Sequence, residues 1–341
     1  MNLKTPTKES VFLIAEIGGN HGGNLQYAKK LALLAKEHGA DAVKFQTYTG
    51  DKLVNQTLDP ERVKHFDNMK LSLTDFIELA EYCTTIGVEF MSSVWDEKSL
   101  EIINPYLTRH KLGSGDLTNY KMISSILDTG KPLILSTAMA SMSEVQQAIK
   151  FIKISNTQYD KLSMLTVLHC VAMYGNPDPD YANLGFMDRL KKEFPGLTVG
   201  YSDHVRGHFA VIAAIARGAE CIEVHFTDNK DQEFRDHHLS VLPEELKTIR
   251  NFADEFPRFF ITPECDLVVK VETAQRIEEF RRAVYLNRDF IKGDVVQEKD
   301  LVMLRPFQGI GAQSYKDIIG KKCLININAL EVLNYEMFGD H

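Results

Sequence analysis

Eight short runs rich in β-branched and aromatic residues alternate with stretches of helical spacing from residue 11 to residue 256. The runs are "VFLIAEI" (11–17), "DAVKFQT" (41–47), "EFMSSVW" (89–95), "RHKLGSG" (109–115), "PLILST" (132–137), "LTVLHC" (165–170), "LTVGYSD" (197–203) and "CIEVHF" (221–226). Between them lie amphipathic segments such as "NLQYAKKLALLAKEHG", "TDFIELAEYCTTIG" and "SMSEVQQAIKFIKI". In the second of these, Thr74 is the expected N-cap and Gly87 the exit. Strand–helix alternation of this kind builds parallel sheets, and eight units over about 250 residues match a (β/α)₈ TIM barrel in count and length. An open doubly wound sheet is the alternative; it usually has fewer strands, and no GxGxxG opens the first helix.

The barrel is expected over 1–262. From Pro263 the pattern breaks, and 263–280 reads as a linker with a helical segment. Short strands separated by turns such as "KGD" then fill 281–341, which reads as a small β-rich domain with little core of its own.

Composition narrows the class. The chain of 341 residues is 44% hydrophobic and 25% charged, ordinary for a soluble globular protein. A net charge of −8 with no long Lys/Arg run argues against nucleic acid or an anionic membrane as partner. The N-terminal apolar run is too short for a signal peptide, and "FAVIAAIA" is far too short to span a bilayer. Cys83, Cys170, Cys221, Cys265 and Cys323 are odd in number and scattered, as free thiols in a reducing compartment would be. A cytoplasmic location is expected.

In a (β/α)₈ barrel, chemistry collects at the C-terminal ends of the strands. Every one of the eight ends here is polar. They carry Glu16; Lys44 and Gln46; Ser92 and Ser93; Lys111, Ser114 and Asp116; Ser136 and Thr137; His169 and Cys170, with Tyr174 beyond; Ser202, Asp203 and His204; and Glu223 and His225. Strands seven and eight are neighbours, so His204 and His225 lie side by side. Two imidazoles there suit a divalent metal completed by carboxylate and water; two histidines hydrogen-bonded to backbone are the bland alternative. Lys44 and Lys111 sit inside apolar strands, where an unpaired ammonium is costly. With Ser93, Ser114, Ser136 and Ser202 they can surround a phosphate, unless they are simply paired with Glu16 and Asp116.

The motifs "AEIGGNHGG", "VKFQTY", "KLGSGDLTN", "LILSTAM", "LHC…MY", "GYSDH" and "EVHFTD" resemble the sialic acid synthase family, whose members include N-acetylneuraminate, legionaminic and pseudaminic acid synthases. The tail "KGDVVQEKDLVMLRPFQGIG…IIGKKCL" resembles that family's C-terminal antifreeze-like (SAF) domain. The resemblance implies condensation of phosphoenolpyruvate with an N-acyl sugar aldehyde, giving a nine-carbon 2-keto acid and phosphate. It implies a domain-swapped homodimer whose small domain caps the partner's barrel mouth. It also implies roles: His204 and His225 as ligands of manganese or magnesium; Lys44, Lys111, Ser93, Ser114, Ser136 and Ser202 around phosphoenolpyruvate; Glu16 as the catalytic carboxylate; Gln46, Tyr174 and Asp236 along the sugar site; and Arg305 sent in from the partner chain. Asp116 and Glu223 join the substrate-binding set as strand-end carboxylates. The sequence departs from the family pattern at Ala172, where Asn is usual, at "YGNPDP", at "QEFRDHH" before and around Asp236, and at "RPF" in the tail. All four changes touch binding. A phosphoenolpyruvate-dependent synthase or metal aldolase acting on another aldose is therefore the alternative.

Overall fold

The structure is a computed structural model that describes residues 11–161, 164–174, 178–233, 236–259 and 274–340. Residues 263–273 of the expected linker, Cys265, residues 175–177 of "YGNPDP" and residues 234–235 of "QEFRDHH" lie outside the described residues. The chain divides into two compact units, residues 1–260 and 261–341.

The first unit is a (β/α)₈ barrel. Its strands are β1 (Phe12–Gly18), β2 (Ala42–Thr47), β3 (Glu89–Val94), β4 (His110–Leu112), β5 (Leu133–Ser136), β6 (Leu165–Cys170), β7 (Thr198–Asp203) and β8 (Cys221–His225). They close in sequence order, every pair parallel, with β1 also pairing with β8. The helices are α1 (Leu25–Glu37), α2 (Gly50–Leu53), α3 (Pro60–Met69), α4 (Leu73–Ile86), α5 (Glu97–Ile103), α6 (Tyr120–Leu127), α7 (Met142–Ser155), α8 (Gly185–Glu193), α9 (Phe209–Ala216) and α10 (Pro243–Glu255). Helix α1 buries Ala28, Leu31, Ala32 and Ala35, the i, i+3, i+4, i+7 stripe of a helix lying on a sheet. Helix α4 begins earlier than its sequence suggests. Ser72, rather than Thr74, is the N-cap, because it and Asp75 satisfy each other's backbone N–H groups in a capping box. Gly87 ends the helix with φ +74°, as expected.

Pleating sorts the strand residues into rings down the barrel axis. Ile14, Ala42, Met91, Ile134, Leu168 and Cys221 form a separate apolar cluster that plugs the interior. Gly200 belongs to the same level, where a Cβ would meet the Cys221 carbonyl oxygen at 2.1 Å and Leu168 Cδ2 at 2.5 Å. One pleat further on, each strand delivers its next inward residue toward the C-terminal mouth.

The second unit has its own core, contrary to expectation. Val284, Leu286, Phe290, Val296, Ile310, Ile318, Cys323, Ile327, Leu333 and Phe338 are buried together. They are hard to see in the sequence because the elements of this unit are short, α11 (Ala274–Phe280), β9 (Ala283–Leu286), β10 (Leu301–Leu304), β11 (Lys322–Cys323) and β12 (Phe338–Gly339), and of the core residues only Val284, Leu286, Cys323 and Phe338 lie on a strand. Strands β9 and β10 pair antiparallel, as do β11 and β12, so the core is assembled from turns and single bridges rather than from long strands. Cys83, Cys170, Cys221 and Cys323 are free and buried. No described helix is long and apolar enough to cross a membrane.

Candidate active site

The ring above the plug holds Glu16, Lys44, Ser93, Lys111, Ser136, Cys170, Ser202 and Glu223. Backbone register ties them together: Glu16 opposes Lys44 and also His225, Ser93 opposes Lys111, and Ser202 opposes Glu223. All four charged members are almost fully buried, the most exposed being Glu223 at 6%. Lys44 Nζ lies 2.7 Å from Glu16 Oε2 and 3.6 Å from Glu223 Oε2, and donates to Ser93 Oγ at 3.3 Å. Gln46 Nε2 donates to Glu16 Oε1 (2.7 Å), and Ser202 Oγ donates to Glu223 Oε1 (2.8 Å).

The two lysines are unequal. Burial works against the charge on Lys44, but Glu16 and Glu223 together overcome it and raise its pKa. Among the described residues, Lys111 has only Glu223 Oε1 at 3.5 Å and the Leu112 carbonyl at 3.4 Å, both long for an ammonium, and burial lowers its pKa. Burial likewise opposes the charge on Glu223, yet Lys111 and then Lys44 hold it down at about 2. Of the pairings weighed on sequence grounds, Lys44 with Glu16 forms. Lys111 turns to Glu223 instead, and Asp116 accepts from Asn119 Nδ2 (3.0 Å) within its own turn. Ser114 accepts from the Ala138 N–H at 2.9 Å, while Ser136 Oγ is buried with no hydrogen-bond partner. An under-bonded buried ammonium and an unpartnered hydroxyl on neighbouring strands are groups that an anion can satisfy.

One pleat higher stand the histidines. The rings of His204 and His225 are 5.0 Å apart, inclined at 60°. Burial, then His225, lowers His204 to about 3, so it is a neutral imidazole at ordinary pH. His225 Nδ1 is buried without a partner, and His204 Nε2 contacts the Tyr174 hydroxyl at 2.9 Å. Paired imidazoles with an available nitrogen fit a divalent ion. The carboxylate expected to complete the site does not join them: among the described residues, no cluster of three His, Cys, Asp or Glu forms. The Tyr174 ring is half exposed, but its hydroxyl end is buried against His204; that burial, then the charge of Asp236, raises its pKa. Asp236 is buried with Oδ1 unpartnered, and its backbone carbonyl accepts from Ser240, which in turn accepts from Asn20 Nδ2 at 3.0 Å.

Not every polar strand end points into the mouth. His169 faces the helix layer, bonded to the Ala182 carbonyl at 2.8 Å and packed on Phe186 and Tyr201. Asp203 accepts from Tyr201 Oη and from the Val205 N–H, and Thr47 and Ser92 bond each other at 2.8 Å. These residues have the wrong parity, because neighbours along a strand face opposite ways. Arg305 belongs to the second unit, where it is exposed with its guanidinium 5.3 Å from the centre of the Phe280 ring. Sequence reasoning passed over Cys170 as a site residue, although it shares the inward parity of Leu168; its Sγ lies 3.6 Å from His204 Nδ1.

A protein-family model described as the NeuB family matches residues 31–256. This chain belongs to that family, the sialic acid synthases. N,N'-diacetyllegionaminic acid synthase of Legionella pneumophila is 36% identical to this NeuB-family chain, with 95% of this chain and 94% of the relative covered. The enzyme of the same name from Campylobacter jejuni is 31% identical, covering 95% and 99%. Among solved structures, N-acetylneuraminic acid synthetase from Leptospira borgpetersenii, in complex with citrate, superposes with a TM-score of 0.70 at 28% identity, over 78% of this chain and 90% of that one.

Proposed function

We propose that the protein is a transferase that condenses phosphoenolpyruvate with an N-acyl hexosamine-type aldose, forming a nonulosonic, sialic-acid-like 2-keto acid and releasing phosphate. The observation that carries this reading is the buried ring of Lys44, Lys111, Ser93, Ser136 and Ser202 one pleat below the His204–His225 pair. The named synthases among its relatives support it, since their products are acids of this class.

In this reading Lys44 and Lys111 hold the phosphate and carboxylate of phosphoenolpyruvate, with Ser93, Ser114, Ser136 and Ser202 as hydroxyl partners and Glu223 fixing both lysines. Such preorganised charge acts strongly in a site sealed from water. Gln46, Tyr174 and Asp236, with Asp116 at the rim, orient the aldose. His204 and His225 hold manganese or magnesium, which supplies Lewis-acid polarisation of the aldehyde carbonyl. The C2–C3 π electrons of phosphoenolpyruvate form the new bond from C3 to the aldehyde carbon, leaving C2 electron-deficient. Water adds to C2 and gives one proton to Glu16, which passes it to the former aldehyde oxygen. The resulting hemiketal phosphate breaks its bond from C2 to the phosphate oxygen, its hydroxyl proton leaves with the phosphate, and the ketone remains. Lys44 and Lys111 stabilise the departing anion.

The same reading makes the second unit an antifreeze-like domain that caps the barrel of a partner chain in a domain-swapped homodimer, with Arg305 reaching the acceptor sugar. Its support is the resemblance of the tail and an exposed arginine stacked on an aromatic ring. Mixing Arg305→Ala with Glu16→Ala chains is expected to regain activity in trans; failure to do so after proven subunit exchange would discard the swap.

Phosphate release from phosphoenolpyruvate, measured with manganese across a panel of aldoses, tests the main proposal. Release that depends on an N-acyl aldose, with a nine-carbon keto acid in the mass spectrum, is the expected result. Silence with every acceptor would reject it.

A further inference from the structure

The His204 ring stands between two hydrogen-bonding side chains, one at each nitrogen. On one side the Cys170 sulfur lies 3.6 Å from Nδ1. On the far side of the ring, Nε2 meets the Tyr174 hydroxyl at 2.9 Å. A phenol is a far better donor than a thiol, so the single imidazole lone pair goes to Tyr174.

We infer that Cys170 is a positioning residue: its sulfur accepts the Nδ1 proton of His204 and fixes the tautomer whose Nε2 carries the lone pair at the barrel mouth. The tautomer of a ligating histidine is set by the partner of its other nitrogen, and such partners are worth roughly 10- to 100-fold in metal affinity. Tyr174 occupies that lone pair and is the group that an incoming ion displaces. The metal arm of this inference rests on the proposed role of the histidine pair; the tautomer arm does not.

The direct test is a long-range ¹H–¹⁵N spectrum of the metal-free, full-length protein labelled at histidine, with His204 assigned by its loss in His204→Gln. The wild type is expected to carry the proton on Nδ1. Cys170→Ala should move it wholly or partly to Nε2 and weaken Mn²⁺ binding by calorimetry about tenfold or more. Cys170→Ser, whose oxygen still accepts, should keep the Nδ1 proton and restore most of the affinity, which a merely space-filling cysteine would not require. A wild-type His204 with its proton on Nε2 overturns the inference without any variant having to fold. So does a Cys170→Ala protein with unchanged tautomer and unchanged affinity. An Nδ1 proton in a wild type that binds no Mn²⁺ would instead sink the metal reading and leave the role of Cys170 standing.

Discussion

Two rings inside the barrel lie one pleat apart and obey opposite rules. The lower, built on Ile14, Ala42, Met91, Ile134, Leu168 and Cys221, is apolar and close-packed. The upper, two residues further along the same strands, holds two carboxylates, two ammonium groups and a set of hydroxyls at comparable burial. Position along the barrel axis, rather than depth from solvent, decides what a buried residue does. The charges above the plug are almost fully buried, so each acts at short range with little screening. The lower ring is expected to serve stability and the upper one chemistry.

The largest expected effect comes from putting a charge on the wrong level. Ile134→Asp should place an unpaired carboxylate in the plug and destabilise the fold by about 4 kcal/mol or more, read as a lowered urea midpoint or as loss of soluble protein. A midpoint unchanged from wild type would show that the plug is not the close-packed layer described. Lys111→Met makes the opposite exchange. Stability should fall by about 3 kcal/mol, less than for Ile134→Asp, because buried Glu223 loses its strongest counter-charge but keeps Lys44 and Ser202. Turnover with phosphoenolpyruvate should lose about 2–3 kcal/mol of transition-state binding, roughly a hundredfold in kcat/KM. A variant that unfolds while the residual folded protein keeps full activity would invert the comparison.

Both rings can be set against two histidines outside them. Burial lowers His21 to about 4, and burial with Lys131 does the same to His110. A pKa lower in the folded than in the unfolded chain means that the unfolded chain binds more protons between about pH 6.5 and pH 4. Stability should therefore fall with pH through that window, by up to about 3 kcal/mol per unit for the pair. The loss should be partly relieved in His110→Gln. A flat profile between pH 6.5 and 4 would contradict the burial of neutral histidines. The smallest expected effect is that of Ser136→Ala. Its hydroxyl has no partner to lose, so stability should not change by more than about 0.5 kcal/mol, while KM for phosphoenolpyruvate should rise several-fold. An unaltered KM would remove Ser136 from the anion site.

Much of this is legible in the sequence. All eight strands lie where their β-branched runs stand, because a parallel strand buried on both faces reads as an unbroken apolar run. Glu16, Lys44, Lys111, Glu223, His204 and His225 were picked out as polar interruptions at the ends of such runs. Parity was not legible. His169 and Asp203 look as good as Cys170 and Ser202 until register fixes which of two adjacent residues faces inward. The true partner of Lys111 was hidden for a similar reason: Glu223 is remote in sequence and close only because the barrel closes, whereas Asp116 is near in sequence and bonds within its own turn. The second core is hidden in the sequence because most of its apolar residues lie in turns and the rest on strands of two to four residues, with no period long enough to read.

The central claim is that the upper ring is an anion site in its own right, built for phosphoenolpyruvate beneath the histidines. Titration calorimetry of phosphoenolpyruvate into the full-length protein, in chelator and without sugar, tests it most directly. The wild type should bind, and Lys111→Met should bind about thirtyfold or more weakly while remaining folded by circular dichroism. A wild type that does not bind phosphoenolpyruvate, or a Lys111→Met protein that binds it equally well, would contradict the account.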